Sequence, residues 1–423
     1  MRVCKGWRTA IRNNSEFFQS LSIRGSIPSK PLNRWLNLTE NSAYKLKDLS
    51  LILKSTYVDN KTQNLYGIVK ACQHLKSVRL NISDIITENI HELYPWGSTS
   101  LEKLVLDGNA GISMTDIEVI MSRLPALKHA EFHVVTGARG NMVVQWPEMP
   151  HLEFVHIAGH RKVGREIPET MLAINKLIAA APNVAHAAIK NFGKSSSGTN
   201  PLDFAAWKSL RHLDIERLRT THMPTFPPTL QYLDLSDICS VAMDELDAPV
   251  NHDGTVDASL FHLPELSHLN VEGSDFTRFM YELSLAGLAS GTLKTLKIGD
   301  TSIFAPQDDP YVSWPVRMPR PSQSLRALSV QGLSHIPEGL IIQVLERYPN
   351  LDEVDLSETT ITGSTLRTLF EREHKPQIIE AVGCSKVSRD AVEAARNHCI
   401  DVISEYAPQK QIYNGRQHRP HDY

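Results

Sequence analysis

The chain has 423 residues, of which 41% are apolar and 22% charged, and this composition excludes general intrinsic disorder. A formal net charge of -3 and a pI near 6.7 exclude a general electrostatic attraction to nucleic acid or to an anionic membrane. We therefore expect no direct nucleic-acid partner and no membrane partner.

The cysteines and the hydropathy pattern are typical of an intracellular protein. Five cysteines are scattered from Cys4 to Cys399 without a Cys-x-x-Cys pair, which favours reduced thiols over a disulfide framework or a zinc site. The chain start has no apolar signal-peptide region, and the sequence contains no run of about 18 apolar residues. We expect the protein in the nucleus or the cytoplasm.

An aliphatic triplet with the spacing L-x-x-L-x-L recurs along the chain. A random order of the same residues would give about four copies, whereas ten complete copies occur. Weaker copies fill the gaps, so that successive triplets stand 20 to 36 residues apart. The complete copies begin at Leu46, Leu75, Leu101, Leu152, Leu210, Leu230, Leu266, Leu293, Leu325 and Leu351, and the weaker ones at Phe18, Leu127, Val184 and Pro376.

Each triplet predicts a short strand, and the residues between triplets predict a helix. After Thr115, a predicted helix cap, residues 117–124 carry apolar residues at helical spacing. Residues 366–370 repeat this spacing after Ser364. Six repeats enter the strand through Pro-x-aliphatic, and proline both ends a helix and is tolerated at the start of a strand. These prolines are Pro125, Pro150, Pro182, Pro228, Pro264 and Pro349.

This pattern predicts an α/β leucine-rich-repeat solenoid, a horseshoe with a parallel β-sheet on the concave face and helices on the convex face. We predict about 14 repeats over residues 16–385 and a C-terminal cap over 386–406 whose helix follows Ser388. Residues 407–423 lack periodicity and are predicted to be a flexible tail. Loops are predicted at 193–199, 236–262 and 299–322.

The chain start adds a family resemblance. The segments RVCKGWRTAI, residues 2–11, and NNSEFFQSLSIRG, residues 13–25, resemble the last helix of an F-box and its exit into a first repeat strand. Together with the repeats, the chain resembles the fungal F-box/leucine-rich-repeat proteins, which are substrate receptors of SCF-type ubiquitin ligases. Residues 1–15 would then be the C-terminal remnant of an F-box, and its adaptor-facing residues would be Val3, Cys4, Trp7 and Ile11.

The resemblance implies partners and a role. It implies a Skp-type adaptor, a cullin and a protein substrate recruited for ubiquitination, and it implies no cofactor. The opening part of an F-box has no room before Met1, so we expect the chain as given to bind the adaptor poorly. The alternative is a ligase-independent leucine-rich-repeat interaction scaffold, and only residues 2–11 separate the two hypotheses.

Strand alternation indicates where a partner would bind. The third and fifth positions of each triplet should point out of the concave face, and six consecutive third positions carry histidine or an aromatic residue. Rings beside acidic residues favour a basic protein segment, whose affinity should fall as histidines protonate near pH 6. Alternatively, each ring only covers its neighbour. The predicted partner-binding residues are His129, Glu131, Phe154, His156, His186, His212, Asp214, Tyr232, Asp234 and His268.

The sequence predicts neither catalysis nor a metal site. His151, His156 and His160 span a strand and a turn without a partner at a ligating interval. His212 and Asp214 point the same way, but the pattern places no serine or cysteine nucleophile beside them. No glycine-rich phosphate loop follows a predicted strand. We therefore predict a binding protein that is not an enzyme.

Overall fold

The computed structural model divides the chain into two compact units, Met1–Leu266 and Ser267–Tyr423. Several sequence predictions lie outside the residues that it describes: the F-box remnant with Val3, Cys4, Trp7 and Ile11, the tail, the loop at 193–199 and most of the other two loops. The structure describes residues 19–25, 46–53, 74–82, 100–107, 112–136, 145–159, 168–192, 202–220, 224–240, 262–274, 278–299 and 322–406.

The first unit is built on a parallel sheet. Its strands are β1 Ser20–Gly25, β2 Asp48–Leu53, β3 Ser77–Ile82, β4 Lys103–Asp107, β5 Ile112–Ser113, β6 His129–Thr136, β7 Phe154–Gly159, β8 His186–Lys190, β9 His212–Glu216, β10 Arg219–Thr220, β11 Tyr232–Asp234 and β12 Cys239–Ser240. The main sheet has the order β1-β2-β3-β4-β6-β7-β8-β9-β11. β5 joins β6, and β10 pairs with β12 in a separate two-stranded sheet.

The second unit repeats the same arrangement with shorter strands. They are β13 His268–Asn270, β14 Thr295–Lys297, β15 Ala327–Ser329, β16 Glu353–Asp355, β17 Ile378–Glu380 and β18 Asp401–Ile403. Each pairs in parallel with the next along the chain. The leucine-rich-repeat fold predicted from the triplets is therefore confirmed in both units.

The triplet also fixes the register of the strands. In every repeat, strong or weak, the strand begins at the third position of the triplet. Third positions pair with third positions, as Phe154 does with His186 and His212 with Tyr232. The aliphatic residues on either side of the fifth position are buried, and Leu213 and Ile215 are both 0% exposed. The remaining face of each strand is thus free to carry polar side chains and rings.

Helices cover the aliphatic face. Apolar residues of the helices, such as Ile117, Ile120 and Leu366, are fully buried with those of the strands and form the core. Among the described residues, no helix has the length and apolar character needed to cross a bilayer. The helices are α1 Met114–Ser122, α2 Pro168–Ala180, α3 Arg278–Ser290, α4 Glu338–Glu346, α5 Gly363–Phe370 and α6 Arg389–Asn397.

The caps of two helices lie two residues before Thr115, the predicted cap of the first, and before Ser364, which precedes the apolar residues of the second. α1 is capped by Ser113 and not by Thr115, because the Ser113 hydroxyl accepts from the backbone N–H of Asp116 while the Asp116 carboxylate accepts from that of Ser113. α5 is capped by Thr362 and not by Ser364, whose N–H donates to the Thr362 hydroxyl at 3.1 Å. The cap of α6 at Ser388 is confirmed.

The prediction of an α-helix in every repeat was wrong. Between β8 and β9 the described residues contain only a short 3-10 helix, Phe204–Ala206. Between β9 and β11 they form β10 and turns. This repeat is the shortest of the series and contains Pro224, Pro227 and Pro228, which lack the N–H donor that a helix interior needs.

Candidate binding surface

Five rings stand side by side on the first unit. We call them the ring row, and each is the first residue of its strand, on β6, β7, β8, β9 and β11 in turn. The row consists of His129, Phe154, His186, His212 and Tyr232. Because neighbouring strands lie about 4.8 Å apart, equal register brings consecutive rings into contact.

The ring row contains two tight stacks. The His129 and Phe154 rings are parallel within 5° with centroids 4.0 Å apart, and His212 and Tyr232 have the same separation and angle. The members of the stacks are partly buried, which agrees with the interpretation that rings cover their neighbours. Ring stacking therefore stabilises both ends of the row.

His186 differs from the other members of the ring row. Its centroid is 6.3 Å from that of Phe154 and 5.8 Å from that of His212, with interplanar angles of 27° and 36°. His186 is also exposed, whereas the four other rings are of intermediate burial. The centre of the ring row is thus its most accessible part, between two preorganised aromatic pairs.

The acidic residues beside the ring row are engaged within the protein. Glu131 contacts His129, lies 3.3 Å from Nε2 of His133 and 3.8 Å from Nζ of Lys103. Such contacts hold the carboxylate in place and neutralise part of its charge. That Glu131 binds a basic group of a partner stays a prediction.

Asp214 and Asp234 are likewise held by neighbours. The Lys190 ammonium pairs with Asp214 and lies 3.2 Å from the Glu216 carboxylate. The Asp234 carboxylate accepts from the backbone N–H of Ser236 at 2.9 Å. These residues border the predicted surface, and their contact with a partner also stays a prediction.

Burial shifts the titration of several residues on this face. Burial lowers the pKa of His129 despite its hydrogen bond with Glu131, and it lowers the pKa of His156 to about 4. Burial also raises the pKa of Asp214, against the opposite effect of Lys190. His156 therefore stays largely neutral near pH 6, and the expected gain of positive charge there does not extend to it. The lowered pKa of His129 shifts its protonation to lower pH.

Two fifth positions predicted to point outward are buried. Val105 is 1% exposed because the ion pairs Arg79–Asp107 and Lys103–Glu131 lie on either side of it. In the second unit Ser329 is 4% exposed, and its hydroxyl donates to Glu272 at 2.7 Å. Alternation gave the direction of these side chains correctly but not their accessibility, since long neighbours cover small residues.

His268 belongs to the second unit, where it opens β13. One ring nitrogen lies 2.7 Å from the Ser267 hydroxyl, and burial lowers the pKa of the ring. The described ring row of the first unit therefore contains five of the six predicted third positions.

One cluster was not predicted from the sequence. Glu131, His133 and His156 each offer a ligand atom, and these atoms lie within 4.8 Å of one another. His133 was missed because β6 continues past its triplet. His156 was predicted to bind a partner but not to share a metal site, because the other two donors lie on the neighbouring strand. The signal was present in the register, which pairs His156 with Glu131.

Comparisons with known proteins describe the fold only. No protein-family model and no curated protein sequence matches the chain. Among solved structures, the complex of Rad7 and Elc1 in yeast contains a similar chain at 12% identity, covering 84% of this chain and 75% of that one with a TM-score of 0.39. A leucine-rich-repeat protein of Leptospira interrogans is similar at 13% identity, covering 90% and 99% with a TM-score of 0.39.

A further similar chain is found in the complex of TLR13 with single-stranded RNA. Its identity is 14%, and the match covers 89% of this chain and 49% of that one with a TM-score of 0.47. This chain thus spans about half the length of the TLR13 chain. The assignment of this chain to the leucine-rich-repeat fold rests on the strand register and core described above.

Proposed function

We propose that this protein binds another protein through the ring row. The observation that carries the proposal is the exposed His186 between two stacked aromatic pairs. Rings provide large contact area at small entropic cost, and histidine and tyrosine add polar groups that give a protein ligand its orientation. The stacks fix the surface before binding, so little ordering is required of it.

We further propose that the bound protein is presented for ubiquitination, with this chain as the substrate receptor of an SCF-type ligase. The resemblance of residues 2–11 to the last F-box helix supports this role. The alternative is an interaction scaffold that works without a ligase. The two share the ring row as recognition surface and differ only in whether a Skp-type adaptor and a cullin also bind.

The ring row is tested by substitution at its centre. Proteins captured from cells by the wild-type chain are quantified by mass spectrometry and compared with those captured by His186→Ala and Tyr232→Ala. Contacts at the centre of an interface typically contribute about 2 kcal/mol or more, so we expect a partner whose capture falls at least roughly tenfold with both variants. Ser22→Ala, on an exposed position of β1, is the matched control and should capture that partner normally.

Recognition by the loops is the competing outcome. If a charge reversal of the acid-rich segment 236–262 abolishes capture while the ring-row variants bind normally, the proposed surface is wrong. If the variants and the wild type capture the same proteins equally, the ring row has only a structural role.

The ligase role has its own test. The purified chain, a Skp-type adaptor and a cullin are combined with the captured partner, and ubiquitin transfer to the partner is measured. Transfer that falls with Trp7→Ala and with Tyr232→Ala would support the receptor. A partner that binds but is not modified, in a mixture that ubiquitinates a substrate of another receptor, would favour the scaffold.

A further inference from the structure

We propose that Glu131, His133 and His156 form a binding site for a divalent transition-metal ion, with Zn²⁺ as the expected ion. Two imidazoles and one carboxylate place their ligand atoms within 4.8 Å of one another on β6 and β7. All three residues are of intermediate burial. The site goes beyond the proposed protein binding, since it is defined without a partner.

The sheet places the three donors together. Glu131 and His133 are two residues apart on β6 and so share a face, while His156 is the register partner of Glu131 on β7. Nε2 of His133 and Oε2 of Glu131 are 3.3 Å apart. In a tetrahedral zinc site with bonds of about 2.0 to 2.2 Å, neighbouring ligand atoms lie about 3.4 Å apart. One edge of the tetrahedron is therefore already formed.

The third donor requires only a small adjustment. The rings of His133 and His156 are 4.5 Å apart between centroids and inclined by 68°, so they meet edge to face and do not stack. The terminal torsion of a histidine side chain has broad energy wells, so rotation about it costs little. Such a rotation would have to bring a nitrogen of His156 from within 4.8 Å of the other two donors to the separation of about 3.4 Å that a tetrahedral site requires.

An independent observation concerns His156 itself. Its Nε2 atom is buried and has no hydrogen-bond partner in the described part of the protein. A buried polar atom left without a partner costs about 1 to 3 kcal/mol, and native proteins rarely leave one so. Coordination of a metal ion would satisfy this nitrogen, which no neighbouring protein group does.

The surroundings suit a metal ligand set. His129 contacts Oε1 of Glu131, the oxygen that His133 does not contact, and such a second residue orients a ligating carboxylate. Lys103 and Lys190 are the nearby cations, but Lys190 is paired with Asp214 and Glu216, and Asp107 adds a negative charge. Two nitrogen donors favour zinc, copper or nickel over magnesium and calcium.

The test is direct titration of the full chain without an affinity tag, after treatment with a chelator. Calorimetry with ZnCl₂ is expected to show a site that binds one ion per chain and that weakens by roughly tenfold or more in His133→Ala and His156→Gln. MgCl₂ should not bind there. With CoCl₂, the wild type is expected to show the visible absorption of tetrahedral cobalt, and the two variants should lose it.

Controls separate the site from other histidines. His151→Ala removes an exposed histidine from the turn before β7 and should bind zinc like the wild type. Circular dichroism checks that each variant is folded. If His156→Gln unfolds, zinc binding by His133→Ala tests the site, because His133 is partly exposed and its substitution should leave the fold intact. Wild-type protein that binds no zinc, or His133→Ala that binds it as tightly, would overturn the proposal. Tyr232→Ala should retain zinc even where it loses a partner, so this test is independent of the proposed function.

Discussion

The ammonium group of Lys190 pairs with the Asp214 carboxylate, although the two residues lie on neighbouring strands, β8 and β9. Both side chains are largely screened from solvent, at 24% and 18% exposure, and burial raises the pKa of Asp214 in spite of the pairing. The pair therefore offsets part of the cost of placing this carboxylate where burial disfavours its charge.

We expect Lys190→Met to raise the pKa of Asp214 further and to lower the free energy of unfolding, because the carboxylate loses its counter-charge. Asp214→Asn in the same background should recover part of the loss. A double-mutant cycle by denaturant unfolding should give a coupling of about 1 kcal/mol. Lys76→Met, which breaks the more exposed pair with Glu102, is the control and should show a smaller effect.

The buried triplet residues should dominate stability. Leu213 and Leu296 are each 0% exposed at the centre of a repeat, and truncation to alanine removes buried methyl groups and leaves a cavity. We expect each substitution to destabilise its unit by about 2 to 5 kcal/mol in urea unfolding. His186→Ala, at an exposed position of the same sheet, should change stability by less than about 0.5 kcal/mol. Equal losses in the free energy of unfolding for Leu213→Ala and His186→Ala would show that the buried and exposed faces of the sheet are assigned wrongly.

Gly159 ends β7 where the chain passes close to a neighbouring strand. A Cβ atom there would lie only 2.4 Å from the backbone oxygen of Asn191, so the backbone would have to move. We expect Gly159→Ala to destabilise the first unit by about 1 to 3 kcal/mol.

The matched control for Gly159 is Gly339 on α4, where an added Cβ meets nothing within 4 Å. Gly339→Ala should be neutral or stabilising by about 0.5 to 1 kcal/mol, because alanine favours a helix more than glycine does. A neutral Gly159→Ala variant in thermal and urea unfolding would show that the strand ends can separate freely.

Glu338 joins the starts of two helices. Its Oε1 atom accepts from the backbone N–H and hydroxyl of Thr362, both at 2.8 Å, and from the hydroxyl of Thr365 at 2.6 Å. Burial acts to raise the pKa of Glu338, but these hydrogen bonds outweigh it and the pKa is lowered. A carboxyl whose pKa is lower in the folded state adds stability above its unfolded pKa, and that stability is lost as the pH falls.

We therefore expect Glu338→Gln to lower the free energy of unfolding by about 1 to 3 kcal/mol at pH 7. The difference from wild type should shrink as the pH falls below 5, because the carboxyl of the unfolded wild type protonates first and that of the folded protein follows at lower pH. Urea unfolding at several pH values measures this dependence. Glu346→Gln, at the exposed end of the same helix, is the control. A pH-independent difference would mean that the ionised form of Glu338 has no special role.

The repeat spacing by itself determined the strands, their order and the direction of their side chains. Each L-x-x-L-x-L triplet buries its aliphatic residues on one face, and a register shift by one residue would expose them. For this reason even the weak copy at Val184 begins its strand at the predicted residue, His186. The ring row followed from the same alternation, because equal register aligns equal positions.

The tertiary structure decided which of these side chains are accessible and what they contact. Ser113 and not Thr115 caps α1, since the Ser113 hydroxyl accepts from the backbone N–H of Asp116 in the folded chain. Val105 is covered by ion pairs from adjacent repeats, and Lys190 engages Asp214 across strands. His133 contacts His156 only because β6 extends beyond the last residue of its triplet. The contacts between strands join residues 23 to 28 positions apart, and no local pattern encodes them, because they depend on side-chain lengths and rotamers in the assembled sheet.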